Sequence, residues 1–280
     1  MLFSYHTHSE YCDGRVSARK MAETAAQAGY SILGFSSHAP LPFETDWNMK
    51  WDQLESYCTT ISSLASEWEN KNLVILTGLE VDFISGLVSP ADAAYSRTDI
   101  DYRIGSVHYI TGLPGGVFTV DEPKDEFETH LKTATGGDAK PMWKEYYHTM
   151  IAMIEHGGFD IIGHFDIVKK NNENECWFDE EDPAYIDAAF EAVDAAGKAG
   201  CIAEINTGGI ARGKISTTYP SKTILSRMQR SGVRLTLGDD AHDPSHLARY
   251  QRLALDAALA AGYKSIWYLD KERAWKELGI

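Results

Sequence analysis

Two histidines near the start of the chain, His6 and His8, stand two residues apart behind the apolar residues Leu2, Phe3 and Tyr5. In an extended strand, positions i and i+2 share a face, so both imidazoles reach one point in space. Neutral imidazole is the commonest metal ligand, and two on one face make half of a site. The same kind of residue recurs along the chain as His38, Glu80, His108, His164, Glu204 with Asn206, and Asp240 with His242. Each follows a different apolar run. A stray histidine has an ordinary structural explanation, but buried imidazoles and carboxylates in this number need partners. Six histidines exceed what one tetrahedral ion can use, so the set implies two or three divalent ions. The donors mix imidazole with carboxylate and include no thiolate, which suits zinc, manganese or iron(II). Clustered divalent ions generate hydroxide near neutral pH and clamp phosphoryl oxygens. The residues alone therefore point to metal-assisted hydrolysis of a phosphoester or an amide.

The elements that must position these residues alternate from end to end. Short strand patterns lie at Ile32–Phe35, Leu73–Asp82, Tyr102–Val107, Cys201–Asn206 and Val233–Leu237. Helical periodicity lies between them, as in the stretch from Trp51 to Trp68, the Ala-rich stretch 183–199 and the stretch from Pro244 to Ala261. Alternation of this kind means parallel strands with crossover helices, and in 280 residues it favours a (β/α) barrel over an open sheet. All strand C-termini of a barrel open on one face, which would gather the listed donors into one ring. Residues 110–140 break the pattern with Gly112, Pro114, Gly115, Gly116, Gly136 and Gly137. They read as a lid-like insertion carrying one short helix near Glu126–Leu131. Ser265–Tyr268 reads as a last strand before a terminal helix. His130, His148, His156 and His246 fall in predicted helices or at their ends and read as ordinary residues. The whole of 1–280 reads as a single domain.

Net charge is −15, which argues against binding a nucleic-acid backbone. The four cysteines are scattered and form no Cys-x-x-Cys pair, as expected of free thiols in a reducing compartment. With neither a signal-peptide pattern nor a membrane-spanning apolar run, the expected location is the cytoplasm, with no membrane partner.

In their order, His6-Thr7-His8, His38, Glu80, His108, His164 and Asp240-Ala241-His242 resemble the PHP (polymerase and histidinol phosphatase) superfamily of metallohydrolases. Within it, the stretches His6–Gly14, Gly78–Asp82, Gly105–His108, Gly163–Asp166 and Glu204–Gly209 are similar to the histidinol-phosphate phosphatase branch. The resemblance implies a distorted (β/α)7 TIM-like barrel with a centre of three divalent ions at the C-terminal ends of the strands. By motif, His6, His8, Glu80 and Asp240 would hold one ion, and Asp13, His38 and His242 a second. Glu80 would bridge to a third, completed by His108 and His164. The implied reaction is hydrolysis of L-histidinol phosphate, a step of histidine biosynthesis, by attack of a bridging hydroxide on phosphorus. Asp240, His242 and Arg212 are the candidate catalytic residues.

Arg212 is the first candidate to hold phosphate, since Arg suits bidentate contacts, with Lys169 or Lys170 second. Glu204 and Asp166 are candidates to orient ligand imidazoles, and Asp82 and the insertion to meet the substrate's amine and imidazole. Three positions depart from the superfamily pattern. Asp13 stands where many members have His. Ser37 precedes His38 where relatives often have an acid. Asp239 offers an alternative to Asp240. Two other readings compete with the histidinol phosphatase. One is a phosphoesterase acting on nucleotides or DNA 3′ ends, and the other a non-catalytic, metal-stabilised binding module.

Overall fold

The computed structural model describes all 280 residues. Its frame is a seven-stranded parallel sheet made of β1 (Leu2–Ser4), β2 (Tyr30–Phe35), β3 (Val74–Asp82), β4 (Tyr102–Ser106), β7 (Ile161–Ile162), β8 (Ile202–Asn206) and β9 (Arg234–Gly238), adjacent in that order. The two edges approach each other and close the sheet into a distorted barrel. Tyr5 N donates to Leu237 O at 3.4 Å, His8 N to Ala241 O at 2.9 Å and Ala241 N to His6 O at 3.3 Å. These bonds carry the closure past the ends of β1 and β9, which is where the histidines stand.

Helices α1 (Ala18–Gln27), α2 (Leu54–Trp68), α4 (Lys140–His156), α5 (Pro183–Ala199), α7 (Lys222–Arg230) and α8 (Gln251–Ala261) cover the outside. Their ends follow local chemistry. Ser17 Oγ accepts from Lys20 N to start α1, and Asp182 accepts from Ala184 N to start α5, with Pro183 in the first turn. No helix is long and apolar enough to cross a membrane.

Tyr102 is buried against the first strands of the barrel, and its hydroxyl donates to Tyr5 O at 2.6 Å and Phe35 O at 3.0 Å. Its ring lies over Gly34 and Gly78, where an added Cβ would sit 2.3 Å from the tyrosine in each case. Two neighbouring strands thus give up their side chains so that one phenol can tie three strands together.

Three elements differ from the sequence expectation. Trp275–Gly279 is a strand, β11, not part of a terminal helix. It pairs antiparallel with β10 (Ser265–Leu269) across a turn in which Asp270 accepts from Ala274 N. Trp275 then packs edge-on against Tyr5, with ring centroids 5.8 Å apart, a contact that a helix-based reading could not anticipate. Residues 244–261 are not one helix. A short turn over Pro244–His246 ends before α8, because Ala248 N turns aside to donate to the Tyr30 hydroxyl at 2.6 Å. Residues 110–140 carry the hairpin β5 (Tyr109–Leu113) and β6 (Gly116–Thr119), then α3 (Lys124–Thr135), longer than the single short helix expected. Ile110, Phe118, Phe127 and Leu131 anchor this excursion in the core. It leaves the barrel after His108 and returns where Val120 N donates to His108 O at 2.9 Å.

Gly78→Ala should lower the unfolding free energy by roughly 1–3 kcal/mol through overpacking against Tyr102. Urea denaturation reads this directly, and a variant as stable as the parent would show that Tyr102 can move aside.

Candidate metal centre

Closure of the barrel brings the strand-end residues to one point, and Glu80 on β3 is at its middle. Glu80 is 1% exposed. Its Oε2 lies 3.0 Å from His6 Nε2, 2.9 Å from His38 Nδ1 and 3.6 Å from His8 Nε2. Its Oε1 lies 2.9 Å from His164 Nε2 and 3.6 Å from His108 Nε2, and accepts from Ser106 Oγ at 2.7 Å. The five imidazoles come from the ends of four different strands.

Four groups of donors are close enough to hold an ion: His8, Asp13, His38 and His242; His6, His8 and Asp240; His6, Glu80 and His164; and His38, Glu80 and His108. Several of the converging atoms have no hydrogen-bond partner although they are buried, namely His6 Nε2, His8 Nε2, His38 Nδ1 and Glu80 Oε2. Buried polar atoms left unsatisfied in this way are costly, and a cation between them removes the cost. This donor set fits divalent metal.

The electrostatics agree. Burial alone would push Glu80 up, but His6, His38 and His108 outweigh it and hold the carboxyl well below its ordinary range. Burial would likewise raise Asp240, yet Arg212 and His6 keep it far below. His8 is pulled well below the usual imidazole value by burial and by His242 and His38, so its lone pair is free for a metal.

Behind the donors stand the groups that aim them. Glu204 Oε1 and Oε2 accept from His6 Nδ1 at 2.9 and 3.0 Å, which turns Nε2 inward. The same carboxylate accepts from His164 N at 2.9 Å and Asn206 Nδ2 at 2.7 Å. Asp82 accepts from His108 Nδ1 at 2.8 Å. Carboxylates in this position fix the tautomer and raise ligand basicity.

Several expected roles change. Asp82 is buried behind His108 and does not line the cavity, so it is not placed to meet substrate. Lys169 is buried with its ammonium 2.8 Å from Asp166 Oδ2 and 3.1 Å from Thr218 O, away from the donor cavity. Asp166 is taken up by Lys169 and Ser221 N rather than by an imidazole. Lys170 and Arg212 do line the cavity. Lys170 donates to Asp121 O at 2.6 Å and lies 3.2 Å from its Oδ2. Arg212 follows the short helix α6 (Gly208–Ala211) and grips Asp240 through Oδ1, Oδ2 and the main-chain oxygen at 2.8 to 3.0 Å. Gly208 permits this approach, since a Cβ there would lie 2.5 Å from Asp240 Oδ2.

The cavity over the donors measures 680 Å³. Its walls include Arg15, Trp47, Tyr109 and Asp121, which the sequence reading did not single out, and His246, which it read as an ordinary residue. His246 lies four residues after His242, one turn on, and that spacing was its only signal. Trp47 and Tyr109 stack at 5.6 Å with an interplanar angle of 13°, a contact between segments distant in the chain that local sequence cannot reveal.

Asp239 and Asp240 separate cleanly. Asp240 has φ +49° and faces the donors. Asp239 points away and accepts from the Tyr30 hydroxyl and from Gln251 Nε2. Burial pushes the Asp239 carboxyl up to about 6, from an ordinary 3.8. Its stabilising contribution is thus full below the unfolded value and is lost as pH rises through the folded one. Asp239→Asn should gain on the parent by up to roughly 3 kcal/mol between about pH 4 and about pH 7.5. Urea titrations at the two pH values measure this, and a pH-independent difference would contradict it. Elemental analysis should find metal retained in Asp239→Asn and depleted in Asp240→Asn.

Comparison with known proteins finds relatives of similar sequence and fold. A probable histidinol-phosphatase of Deinococcus radiodurans is 30% identical over 86% of this chain and 86% of its own length. Among solved structures, a candidate histidinol phosphatase of Listeria monocytogenes superposes with a TM-score of 0.77 at 20% identity, covering 89% of this chain and 99% of that one. The histidinol phosphate phosphatase of Lactococcus lactis, solved with zinc, L-histidinol and phosphate, gives 0.68 at 21% identity over 95% of each chain. Residues 4–208, which carry the donors from His6 to His164, match the model of the PHP domain family, and the chain belongs to that family.

Proposed function

We propose that this chain is a metal-dependent phosphomonoesterase that hydrolyses L-histidinol phosphate to L-histidinol and phosphate. The observation that carries the reading is the juxtaposition, in one cavity, of a dense imidazole–carboxylate cluster with the cations Arg212 and Lys170. The names of the relatives and the ligands of the Lactococcus lactis enzyme support it. Three divalent ions, of zinc, manganese or iron, would be held by His6, His8 and Asp240 with Glu80; by Asp13, His38 and His242; and by Glu80 with His108 and His164. Bound there, such ions supply hydroxide near neutral pH and neutralise phosphoryl oxygens.

The chain's own residues do the rest. Glu204 and Asp82 hold the Nδ1 protons of His6 and His108, so that each ring presents Nε2 to the cluster. Arg212 can turn a guanidinium edge to the phosphate, and its grip on Asp240 couples the two sites. Lys170 adds a second positive charge, partly spent on Asp121. The substrate is small because the net charge of −15 repels a polyanion.

Metal-loaded protein should turn over histidinol phosphate faster than p-nitrophenyl phosphate and leave single-stranded DNA intact. Faster cleavage of DNA would overturn the assignment and favour the nuclease reading. Arg212→Ala should lose roughly 2–4 kcal/mol of transition-state binding, about 30- to 1000-fold in kcat/KM at saturating metal. Lys170→Ala should lose less, because an ammonium makes no bidentate contact with phosphate. Near-normal turnover by Arg212→Ala would remove that residue from the phosphate site.

A further inference from the structure

His246 is the cavity-lining imidazole that the cluster leaves unused. It is 8% exposed, and neither ring nitrogen has a hydrogen-bond partner in the protein; Nδ1 is buried, which leaves Nε2 as the nitrogen open to the cavity. The other cavity imidazoles meet a carboxylate of the cluster: His38 and His164 meet Glu80, His108 meets Asp82 and His242 meets Asp13. His246 has no such partner.

Its position is held rather than loose. Asp243 accepts from Ser245 N at 2.9 Å and from Ser245 Oγ at 2.6 Å, and His246 N donates to Asp243 O at 2.9 Å. The next turn is pinned where Ala248 N meets the Tyr30 hydroxyl. A ring held in place whose N–H no protein group accepts has that donor free for a ligand in the cavity.

The surroundings name the ligand's charge. His246 and Arg212 both line the cavity, close enough for the Arg212 charge to act on the ring, and Arg15 also lines it, its backbone N donating to His242 O at 2.8 Å. Burial first, and then the Arg212 charge, lower the basicity of His246 below the ordinary imidazole value. A neutral ring keeps one N–H to give. Beside guanidinium groups, the group that accepts it is an anionic oxygen.

We propose that His246 is a substrate-binding residue that donates a ring N–H to a phosphoryl oxygen beside Arg212. The inference rests on the phosphomonoesterase reading, and the test separates the two. Inorganic phosphate is titrated calorimetrically into metal-loaded wild type, His246→Phe and His246→Gln, with metal content and Tm recorded for each. Phe keeps the ring's bulk without a donor, and Gln restores an N–H.

The expected result is about tenfold weaker phosphate binding for His246→Phe and recovery to within about threefold for His246→Gln, at unchanged metal content. KM for the phosphate ester should rise in parallel with the loss of phosphate affinity. Wild-type binding by His246→Phe would overturn the role of His246 and leave the enzyme reading intact. A wild type that binds no phosphate would overturn both. Equal loss in Phe and Gln would mean that the ring's shape, not its N–H, matters, and would also overturn the proposal.

Discussion

A carboxylate buried at the centre of a ring of imidazoles is the constraint on which the rest of this structure depends. Glu80 is cut off from solvent and stands within 3.6 Å of five histidine side chains. Removing a carboxylate from water is expensive, and only close positive partners make it tolerable. Here the partners arrive from separate strands, so the charge is satisfied only when the barrel is closed. Closure between the first and last strands, through His8 N and Ala241 N, is what brings His6 and Asp240 to the same point. Fold and site are therefore one problem, solved together.

The supporting layer shows how precisely that problem is met. Glu204 spans two staves by accepting from the ring of His6 and the backbone of His164. Asp239 and Asp240 are adjacent in sequence yet face opposite environments, because a left-handed φ at Asp240 turns the chain between them. Asp239 meets Tyr30 and Gln251 behind the sheet, whereas Asp240 meets Arg212 and the histidines in front. Such backbone conformations are unfavourable for non-glycine residues and persist where the surroundings over-determine them.

Much of this was legible in the sequence because the donors obey a simple rule. Strand-end positions in a barrel share a face, so His6, His38, Glu80, His108, His164 and His242 could be read as one set from their places behind apolar runs. The resemblance to PHP proteins added Asp13, which no periodicity marks. What failed depended on long-range pairing. Lys169, just beyond Asp166, was a second-choice phosphate ligand, but a salt bridge with Asp166 turns it into the protein. Asp82 looked available on the face of Glu80 and is instead spent on His108. The hairpin at 109–119 and strand β11 were missed because their stability comes from cross-strand partners and from contacts such as Trp275 on Tyr5.

The central claim is that Glu80 joins metal sites rather than serving one. Its most direct test is the metal content of the wild type, Glu80→Gln and His38→Ala, each purified without chelator and measured by elemental analysis. The expected result is that Glu80→Gln loses more ions per chain than His38→Ala does, while both stay folded by circular dichroism. Equal losses in the two variants, or a Glu80→Gln protein with wild-type metal content, would contradict it.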